Sequence, residues 1–539
     1  HYESACYHSN TREFDFSNLD LYSGMYLTEK RIRDYLAAAP DKPLLLCEYC
    51  HSMGNGPGDL EDYFQLFSSS DLLCGGFVWE WCDHAIYKGQ AENGKAMYYY
   101  GGDHGECLHD GNFCVDGLVY PDRQPHTGLL EYKNVHRPAR LIDFSQSIGR
   151  VVLRNELDFT DLNGYISILY QITCDGQVIS SGTVLEFPSI LPHQTGSFSV
   201  PVHIPTKGRC FLKLCYLTAY ASETLPIGHL LGFDELPLVN AEPQSYFLPA
   251  EHSNCEHLTV LEDGRYLRIE GREFTYTLDQ ATGLWHSMLL RGKTFLMHPM
   301  ELNVWRAPTD NDRNIKATWK RAQLDHAYTR AYSINCEENS ECVQITCNLG
   351  LVAASVQRIA KICLIWRVFA DGTIQANLHV VQNPDFPALP RFGFRIFLPK
   401  EMQHVSYFGM GPTESYVDKH RAASHGLFES SVAALHEDYL RPQENGSHWD
   451  CSLVTVSDKI QSFTASSCKT FSFNVSVYTQ EELTEKRHNF ELRACESTVL
   501  CIDYAQAGIG SNSCGPELNP KYQISKRPFD FSIVFTLHA

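Results

Sequence analysis

The hydrophobic pattern of the first part of the chain alternates between helix and strand. Apolar side chains recur at helical spacing from Ile32 to Ala39, where Thr28 can cap the helix and Pro40 ends it. The next run, residues 43–49 (PLLLCEY), is apolar almost throughout, which is typical of a parallel strand buried on both faces. This stretch therefore predicts one helix followed by one strand.

The same alternation is repeated immediately downstream. Glycines turn the chain at residues 54–58, and residues 60–67 again place apolar side chains at helical spacing. Residues 75–81 (GGFVWEW) then predict a second buried strand. Repeated strand–helix units of this kind predict either an α/β barrel or a doubly wound sheet.

Farther along, the pattern changes to the period of two that marks strands. Residues 165–173 and a strand that starts at Gln177 flank Asp175-Gly176, a type I′ hairpin dipeptide. The segment that contains them, residues 150–248, has about the length of an immunoglobulin-like sandwich.

The remaining residues have an all-β pattern. Strands are predicted over residues 265–278, over residues 361–381 with a turn at Asp371-Gly372, and over residues 471–478. A region of this length forms one large sandwich or two, and the pattern leaves both open.

Composition excludes two classes of partner. The formal net charge of −20 repels nucleic acid and anionic membrane surfaces. No run approaches the ~20 apolar residues that a membrane helix needs. We therefore expect no nucleic acid and no membrane among the partners of this chain.

Two motifs that resemble metal sites lack essential parts. The chain has 20 cysteines without a repeating spacing, and Cys47-x-x-Cys50 lacks the second pair that a zinc site needs. We expect reduced thiols that serve as small buried hydrophobic side chains. Asp310-Asn311-Asp312 lacks the glycine and the distal glutamate of an EF-hand, so we predict a turn there.

Glu48 is the candidate catalytic residue. It ends a predicted buried strand, and the C-terminal ends of the strands form the catalytic face of an α/β barrel. Burying a carboxylate is costly, so Glu48 needs either a catalytic role or a salt bridge between strands, and its position alone favours neither. The next strand ends in Trp79-Glu80-Trp81, and a carboxylate beside tryptophans suits a sugar pocket.

A series of short motifs occurs in order along almost the whole chain. They are residues 43–55 (PLLLCEYCHSMGN), 75–83 (GGFVWEWCD), 100–103 (YGGD), 112–123 (NFCVDGLVYPDR), 125–126 (PH), 305–312 (WRAPTDND), 409–418 (GMGPTESYVD), 441–446 (RPQENG) and 508–516 (GIGSNSCGP). Together they resemble the C-terminal portion of the large bacterial β-galactosidases of glycoside hydrolase family 2.

The resemblance implies a fold and an activity. Residues 1–139 would be the C-terminal part of a catalytic TIM barrel, residues 140–248 an immunoglobulin-like β-sandwich, and residues 249–539 a large β-sandwich of the β-galactosidase small-chain type. The activity would be retaining hydrolysis of terminal β-D-galactosides such as lactose.

The resemblance also implies roles for individual residues in the galactose site. Glu48 would be the nucleophile, and Tyr26 would hydrogen-bond to it. His51 would contact the galactosyl hydroxyls, and Trp79 would form the floor of the site. Cys514 stands where some members have a tryptophan against the aglycone, so we expect a different leaving-group subsite.

A monovalent cation site is implied by the same resemblance. Phe113 and Asp116 would bind a sodium or potassium ion and the galactose 6-hydroxyl. Asp116 stands where the best-known members have asparagine, which adds negative charge beside the cation.

The general acid is expected upstream of this chain. In the family it is the glutamate of an Asn-Glu pair on an earlier barrel strand, whereas Asn155-Glu156 lies beyond the barrel and Glu3 lies too close to the start. The chain begins at His1 without a signal-peptide pattern, so we expect a truncated or processed chain. The magnesium ligands of the intact enzyme are also expected upstream, and this chain alone is expected to be inactive.

Two alternatives stay open beside the enzyme hypothesis. One is a non-catalytic carbohydrate-binding protein of several sandwiches, and the other is one subunit of a split galactosidase. The expected partners are a β-galactoside substrate, the missing N-terminal half and a second copy in a homo-oligomer. The expected location is the cytoplasm.

Overall fold

The computed structural model describes residues 1–2, 17–240 and 258–539. The boundary expected between residues 248 and 249 lies outside the described residues, as does Glu3. The division into three parts therefore stays a prediction. No helix in the described ranges is long and apolar enough to cross a membrane.

The first part of the described chain is built around a small parallel sheet. Its strands lie in the order β1-β2-β3, and both pairs are parallel. The elements are β1 (Tyr22–Met25), α1 (Glu29–Ala37), β2 (Leu44–Tyr49), α2 (Leu60–Phe67), β3 (Leu73–Val78), β4 (Ile86–Gln90), β5 (Ala96–Tyr99) and α3 (Thr127–Val135).

The predicted helices and strands of this part are confirmed, with one shift. The Thr28 hydroxyl accepts a hydrogen bond from the Arg31 backbone N–H at 3.2 Å and caps α1. Strand β3 ends at Val78, three residues before the predicted end. The Trp79 backbone still forms hydrogen bonds with the backbones of Tyr49 and Ser52. The chain therefore continues alongside the end of β2 without forming a regular strand.

The middle part consists of a three-stranded and a four-stranded antiparallel sheet, in the orders β10-β7-β6 and β12-β11-β8-β9. The strands are β6 (Ala139–Ser145), β7 (Arg150–Asn155), β8 (Ile166–Cys174), β9 (Gln177–Val184), β10 (Thr195–Ser199), β11 (Cys210–Thr218) and β12 (Leu230–Leu238). The predicted hairpin is confirmed, because Asp175 and Gly176 have φ angles of 48° and 80°, as a type I′ turn requires.

The last part holds a five-stranded sheet, β13-β14-β15-β16-β17, and a twelve-stranded sheet whose main path is β18-β23-β28-β27-β29-β22-β21-β20-β19, with β24, β25 and β26 attached. Two short helices, α4 (Ile315–Arg321) and α5 (Gln480–Glu485), accompany them. The strands are β13 (Thr259–Asp263), β14 (Tyr266–Glu270), β15 (Phe274–Asp279), β16 (Leu284–Leu290), β17 (Lys293–Thr294), β18 (His298–Asn303), β19 (Tyr328–Glu338), β20 (Cys342–Val352), β21 (Ala360–Phe369), β22 (Ile374–Gln382), β23 (Arg391–Pro399), β24 (His404–Gly411), β25 (Ser424–Ser431), β26 (Ser447–Ser457), β27 (Ser462–Ser476), β28 (Ser497–Gln506) and β29 (Phe529–His538).

The predictions for this part are mixed. The hairpin that turns at Asp371-Gly372 is confirmed by β21 and β22. The single strand predicted over residues 265–278 is wrong, because the chain reverses at Gly271 and forms the antiparallel pair β14 and β15. The reversal lacks the hairpin dipeptides that mark the other turns.

A buried ionic cluster joins the last part to the loop that follows β2. The Lys419 ammonium is 1% exposed and donates hydrogen bonds to Asn55 Oδ1 at 2.9 Å, Thr127 Oγ1 at 2.6 Å and Glu414 Oε1 at 2.9 Å. Tyr439 also donates to Glu414. Burial raises the pKa of Glu414, but the Lys419 charge and these hydrogen bonds outweigh it and hold that pKa below its usual value.

Lys419→Met should destabilise the protein strongly, because it leaves the Glu414 carboxylate buried without its counter-ion. The expected loss in the free energy of unfolding is about 3–5 kcal/mol, measured by chemical denaturation. The control is Lys400→Met, which breaks an exposed ion pair with Glu496 and should leave the denaturation midpoint unchanged. Equal midpoints for the two variants would contradict the role of the cluster.

Candidate active site

Glu48 and Tyr26 face each other at the ends of β2 and β1. The Tyr26 backbone N–H donates to the Glu48 carbonyl at 2.9 Å, and the two side chains are also hydrogen-bonded. Burial, and then the hydrogen bond and charge of Glu48, raise the pKa of Tyr26. The Tyr26 hydroxyl therefore stays protonated and donates to the Glu48 carboxylate.

The loop after Glu48 is irregular and almost wholly buried. Its first residue, Cys50, is in the left-handed region with φ 48°. Ser52 fixes the loop to the neighbouring segments, since its N–H donates to the Trp79 carbonyl at 2.7 Å and its hydroxyl to the Gly117 carbonyl at 3.2 Å. His51, the residue before Ser52, is 1% exposed.

The Asp116 carboxylate contacts polar atoms of two other site residues, Trp79 and His51. Its Oδ2 accepts a hydrogen bond from the indole N–H of Trp79 at 3.1 Å and lies 3.3 Å from His51 Nε2. Asp116 itself is buried, whereas Trp79 is 39% exposed. The carboxylate thus holds the tryptophan edge and leaves part of its ring open to a ligand.

His51 is held on its other side by a chain from the far end of the sequence. Its Nδ1 lies 2.8 Å from Ser513 Oγ, and the Ser513 hydroxyl donates to Asn311 Oδ1 at 2.9 Å. Because the hydroxyl has a single proton, which goes to Asn311, His51 Nδ1–H must be the donor to Ser513. The Asn311 amide is oriented in turn by donating from Nδ2 to the Asn55 carbonyl at 3.0 Å.

Phe113 covers the face of His51 that the polar contacts leave open. The two rings stack with centroids 5.3 Å apart and an interplanar angle of 26°. The Arg313 guanidinium lies 5.2 Å from the Phe113 centroid and donates to the Ser513 carbonyl at 3.3 Å. Phe113 therefore contacts both the His51 imidazole and the Arg313 guanidinium.

Cys514 lies beside the Glu48–Tyr26 pair. Its thiol is hydrogen-bonded with Tyr26, and burial and the nearby Glu48 charge raise the pKa of the thiol. The residue as a whole is exposed. A neutral thiol stands here at the mouth of the site.

A second carboxyl group, that of Glu80, faces Asp116. Burial, and then the negative charge of Asp116, raise the pKa of Glu80, and the two side chains are hydrogen-bonded. Asp116 Oδ1 is buried and receives no hydrogen bond from a donor group in the described part of the chain. Two carboxyl groups in this position need a shared proton or a cation between them.

This arrangement fits a monovalent cation better than a cage of side-chain ligands. Among the described residues no group of three or more His, Cys, Asp or Glu side chains could hold a metal ion. The Asp116 Oδ1 atom, which receives no hydrogen bond in the described structure, is a hard oxygen donor of the kind that such a cation takes.

The structure brings together all the site residues expected from the sequence: Tyr26, Glu48, His51, Trp79, Phe113, Asp116 and Cys514. It places Asn155 elsewhere, where its amide bonds to the Thr160 and Ile190 carbonyls. Residues 310–312 form a turn, as predicted, and Asp312 is paired with Arg306 at 2.7 Å.

The residues that support His51 were not predicted from the sequence pattern. Ser513, Asn311 and Arg313 reach the site across long sequence separations, 462 residues for the His51–Ser513 contact. Their only signal was that they lie in or next to the motifs at residues 305–312 and 508–516. Asp116 was expected at the site from its motif, whereas the contact between Glu80 and Asp116 was not expected.

Three family models match successive parts of the chain. The model described as "Glycosyl hydrolases family 2, TIM barrel domain" matches residues 1–141, "Beta-galactosidase, domain 4" matches residues 151–239, and "Beta galactosidase small chain" matches residues 270–535. These matches confirm a TIM-barrel segment followed by β-rich domains.

Curated relatives match over nearly the whole chain. A β-galactosidase of Actinobacillus pleuropneumoniae is 43% identical over 99% of this chain and 52% of its own length. One of Staphylococcus xylosus is 37% identical over 99% of this chain and 53% of its own, and one of Kluyveromyces lactis is 28% identical over 95% and 49%. The chain spans about half the length of these relatives.

The solved structures that match this chain are more distant in sequence. A galactose 1-epimerase from Lactobacillus acidophilus matches 53% of this chain and 99% of its own, with a TM-score of 0.29 and 8% identity. A putative aldose 1-epimerase from Escherichia coli matches 52% and 99%, with a TM-score of 0.28 and 8% identity.

Proposed function

We propose, from the premise that the chain belongs to glycoside hydrolase family 2, that it supplies the nucleophile side of a retaining β-galactosidase active site. The observation that carries the proposal is Glu48, which ends a barrel-type parallel strand with the Tyr26 hydroxyl bonded to its carboxylate. Trp79, His51 and Asp116 stand around it. The β-galactosidases among the relatives support the substrate class.

In this mechanism Glu48 attacks the anomeric carbon of a terminal β-galactoside. A bond forms between the carboxylate oxygen and that carbon while the bond to the leaving oxygen breaks, and water later releases galactose with retained configuration. The Tyr26 hydroxyl orients the carboxylate before attack. Lactose is the substrate we propose as an example of the class.

The sugar would lie on Trp79, with its polar edge toward His51 and Asp116. The partly exposed indole offers an apolar face, and its N–H is already taken by Asp116. His51, whose Nδ1–H is directed to Ser513, presents its Nε2 side toward Asp116 and the sugar hydroxyls. Cys514 would border the leaving group.

A sodium or potassium ion is proposed at Asp116 and the Phe113 carbonyl. The orphaned Asp116 oxygen and the facing Glu80 carboxyl support a cation there. The ion would neutralise the carboxylates and give the galactose 6-hydroxyl a hard electrophilic contact.

The chain needs a partner that completes the barrel. Retaining hydrolysis requires a second carboxyl group about 5–5.5 Å from the nucleophile, and we propose that it lies upstream together with the magnesium ligands. Strands β1 and β3 are both edges of the three-stranded sheet. Phe77 and Trp81, 62% and 59% exposed, lie on and just after β3, where further barrel elements would cover them.

The alternatives differ from this proposal in what Glu48 does. A carbohydrate-binding protein has no use for a tyrosine that orients a carboxylate for attack, which favours the enzyme. A split enzyme would use the same residues with a separately encoded upstream chain. Homo-oligomer formation and a cytoplasmic location remain predictions.

Glu48 should be the residue trapped by a 2-fluoro-galactoside in the completed enzyme. The fluorine slows both steps, but breakdown more, so the covalent intermediate accumulates and the Glu48 peptide gains the sugar mass in mass spectrometry. Glu48→Gln should lower kcat by a factor on the order of 10⁴ or more. The matched control Glu80→Gln should still be labelled at Glu48, and label on any other residue would refute the assignment.

Trp79→Ala should raise KM roughly tenfold, because loss of ring stacking costs about 1.4 kcal/mol of ground-state binding. Trp79→Phe keeps a ring at this position and should recover most of the affinity. Steady-state kinetics on an aryl galactoside measures both variants. Wild-type KM in the alanine variant would exclude Trp79 from the sugar site.

Activity should depend on a monovalent cation held by Asp116. Titration with sodium against a bulky organic cation at constant ionic strength should give saturation. Asp116→Ala should shift the half-maximal concentration upward by about tenfold, the effect of about 1.4 kcal/mol. Activity that is indifferent to the cation in the wild type would count against the site.

The chain by itself should not hydrolyse lactose, because general acid catalysis typically contributes ~10²–10⁴-fold and the acid is proposed to lie upstream. A glucose-release assay on the purified chain checks this expectation. Addition of the upstream half of a family 2 β-galactosidase should restore turnover. Full activity without that addition would show that an acid in this chain has been overlooked.

A further inference from the structure

A cavity of about 270 Å³ has the Phe113 side chain in its wall. It is lined by Met53, Asp110, Asn112, Phe113, Asp310, Arg313, Lys316 and Arg441. Three of these side chains are cationic. The cavity is thus separate from the proposed sugar site but shares the Phe113 ring with it.

Lys316 is the cation whose position is unexplained by internal contacts. It is half-buried at the start of α4, and within the described ranges no acceptor lies in hydrogen-bond reach of its ammonium. Burial first, and then the Arg441 charge, lower the pKa of Lys316. The Asp310 and Asp312 charges act in the opposite direction, but in the described structure neither carboxylate is hydrogen-bonded to Lys316. The ammonium therefore keeps its N–H donors for a ligand.

The carboxylate nearest to Lys316 is already satisfied. Asp310 Oδ1 accepts from Arg441 at 2.7 Å and from Asn112 at 3.0 Å, and Oδ2 accepts from Gln443 at 2.8 Å. Asp110 lies exposed at the rim of the cavity. The Lys316 charge is therefore offset at longer range by Asp310 and Asp312, and not by a direct ion pair among the described residues.

The cationic side chains that line the cavity also have N–H groups left to bind a ligand. Arg313 donates one N–H to the Ser513 carbonyl, and Arg441 donates from one nitrogen to Asp310 and Asn112. Each guanidinium has five N–H donors, so both keep donors for a ligand, and Lys316 offers three. Guanidinium and ammonium groups in this combination recognise phosphate and sulfate oxygens.

We infer that this cavity binds a tetrahedral oxyanion, either free phosphate or sulfate or the same group esterified to a sugar. Arg313, which lies over Phe113, would connect the anion to the ring that stacks on His51. Binding at this cavity requires no hydrolysis, so the inference stands apart from the proposed function.

The first test is binding of inorganic phosphate and of sulfate to the full chain. Both should raise the unfolding midpoint with saturation, since a ligand of the folded state stabilises it by mass action. Sodium chloride at equal ionic strength should not. Lys316→Gln should raise Kd about tenfold, a change equivalent to the loss of one charge-assisted contact.

The matched control is Lys320→Gln, which removes the same charge from an exposed position on the same helix and should keep the wild-type Kd. Equal effects of chloride and phosphate, or an unchanged Kd in Lys316→Gln, would overturn the inference. Retained far-UV circular dichroism in both variants excludes loss of folding as the cause.

A second arm distinguishes the two sources of the anion. Galactose 6-phosphate that binds more tightly than phosphate, with the gain lost in Lys316→Gln, would identify a sugar ester as the ligand. Equal Kd values for galactose 6-phosphate and phosphate, both weakened by Lys316→Gln, would identify the free anion. Both binding results keep their meaning whether or not the chain hydrolyses lactose.

Discussion

The candidate site depends on the buried loop after β2, and above all on Asn55. The loop lies outside the strands and helices, so its polar groups are satisfied by backbone groups of other loops and by side chains. The Asn55 N–H donates to Gln443 at 3.2 Å, its amide donates to the Glu444 carbonyl at 2.9 Å, and its carbonyl accepts from Asn311 at 3.0 Å. Lys419 completes the set. The strand end that carries Glu48 is thus positioned by residues from the last part of the chain.

The hydrogen bonds that hold this loop also position the imidazole of His51. Asn311 donates from its Nδ2 to the loop and accepts from Ser513 at its Oδ1, and Ser513 in turn accepts from His51. One asparagine therefore sets both the backbone of the loop and the hydrogen bonding of His51. The large β-region is a structural part of the site and not an appendage to it, because neither the loop nor the histidine is held by the parallel sheet alone.

Sequence patterns predicted what depends on neighbours in the chain. Helix α1 and the Asp175-Gly176 hairpin follow from local spacing, capping and turn chemistry, and they are confirmed. The reversal at Gly271 was missed because it has no recognisable turn dipeptide. The His51–Ser513 contact could not be predicted from pattern, since a hydrogen bond across 462 residues leaves no local trace. The resemblance located residues such as Glu48 and Trp79, but not the network that holds them.

The electrostatics of the site follow from the aspartate at position 116. Glu80 faces Asp116, and burial and then the Asp116 charge raise the pKa of Glu80. The Arg313 guanidinium lies against the Phe113 ring, and its charge opposes the rise in the pKa of the Cys514 thiol beside Glu48. The Trp79 indole N–H and the His51 imidazole both turn to Asp116 Oδ2, which leaves the charge on Oδ1 without a donor in the described structure. The unsatisfied Asp116 Oδ1 and the facing Glu80 carboxyl, whose pKa is raised by burial and by the Asp116 charge, therefore make this side of the pocket the place where the proposed cation would be held.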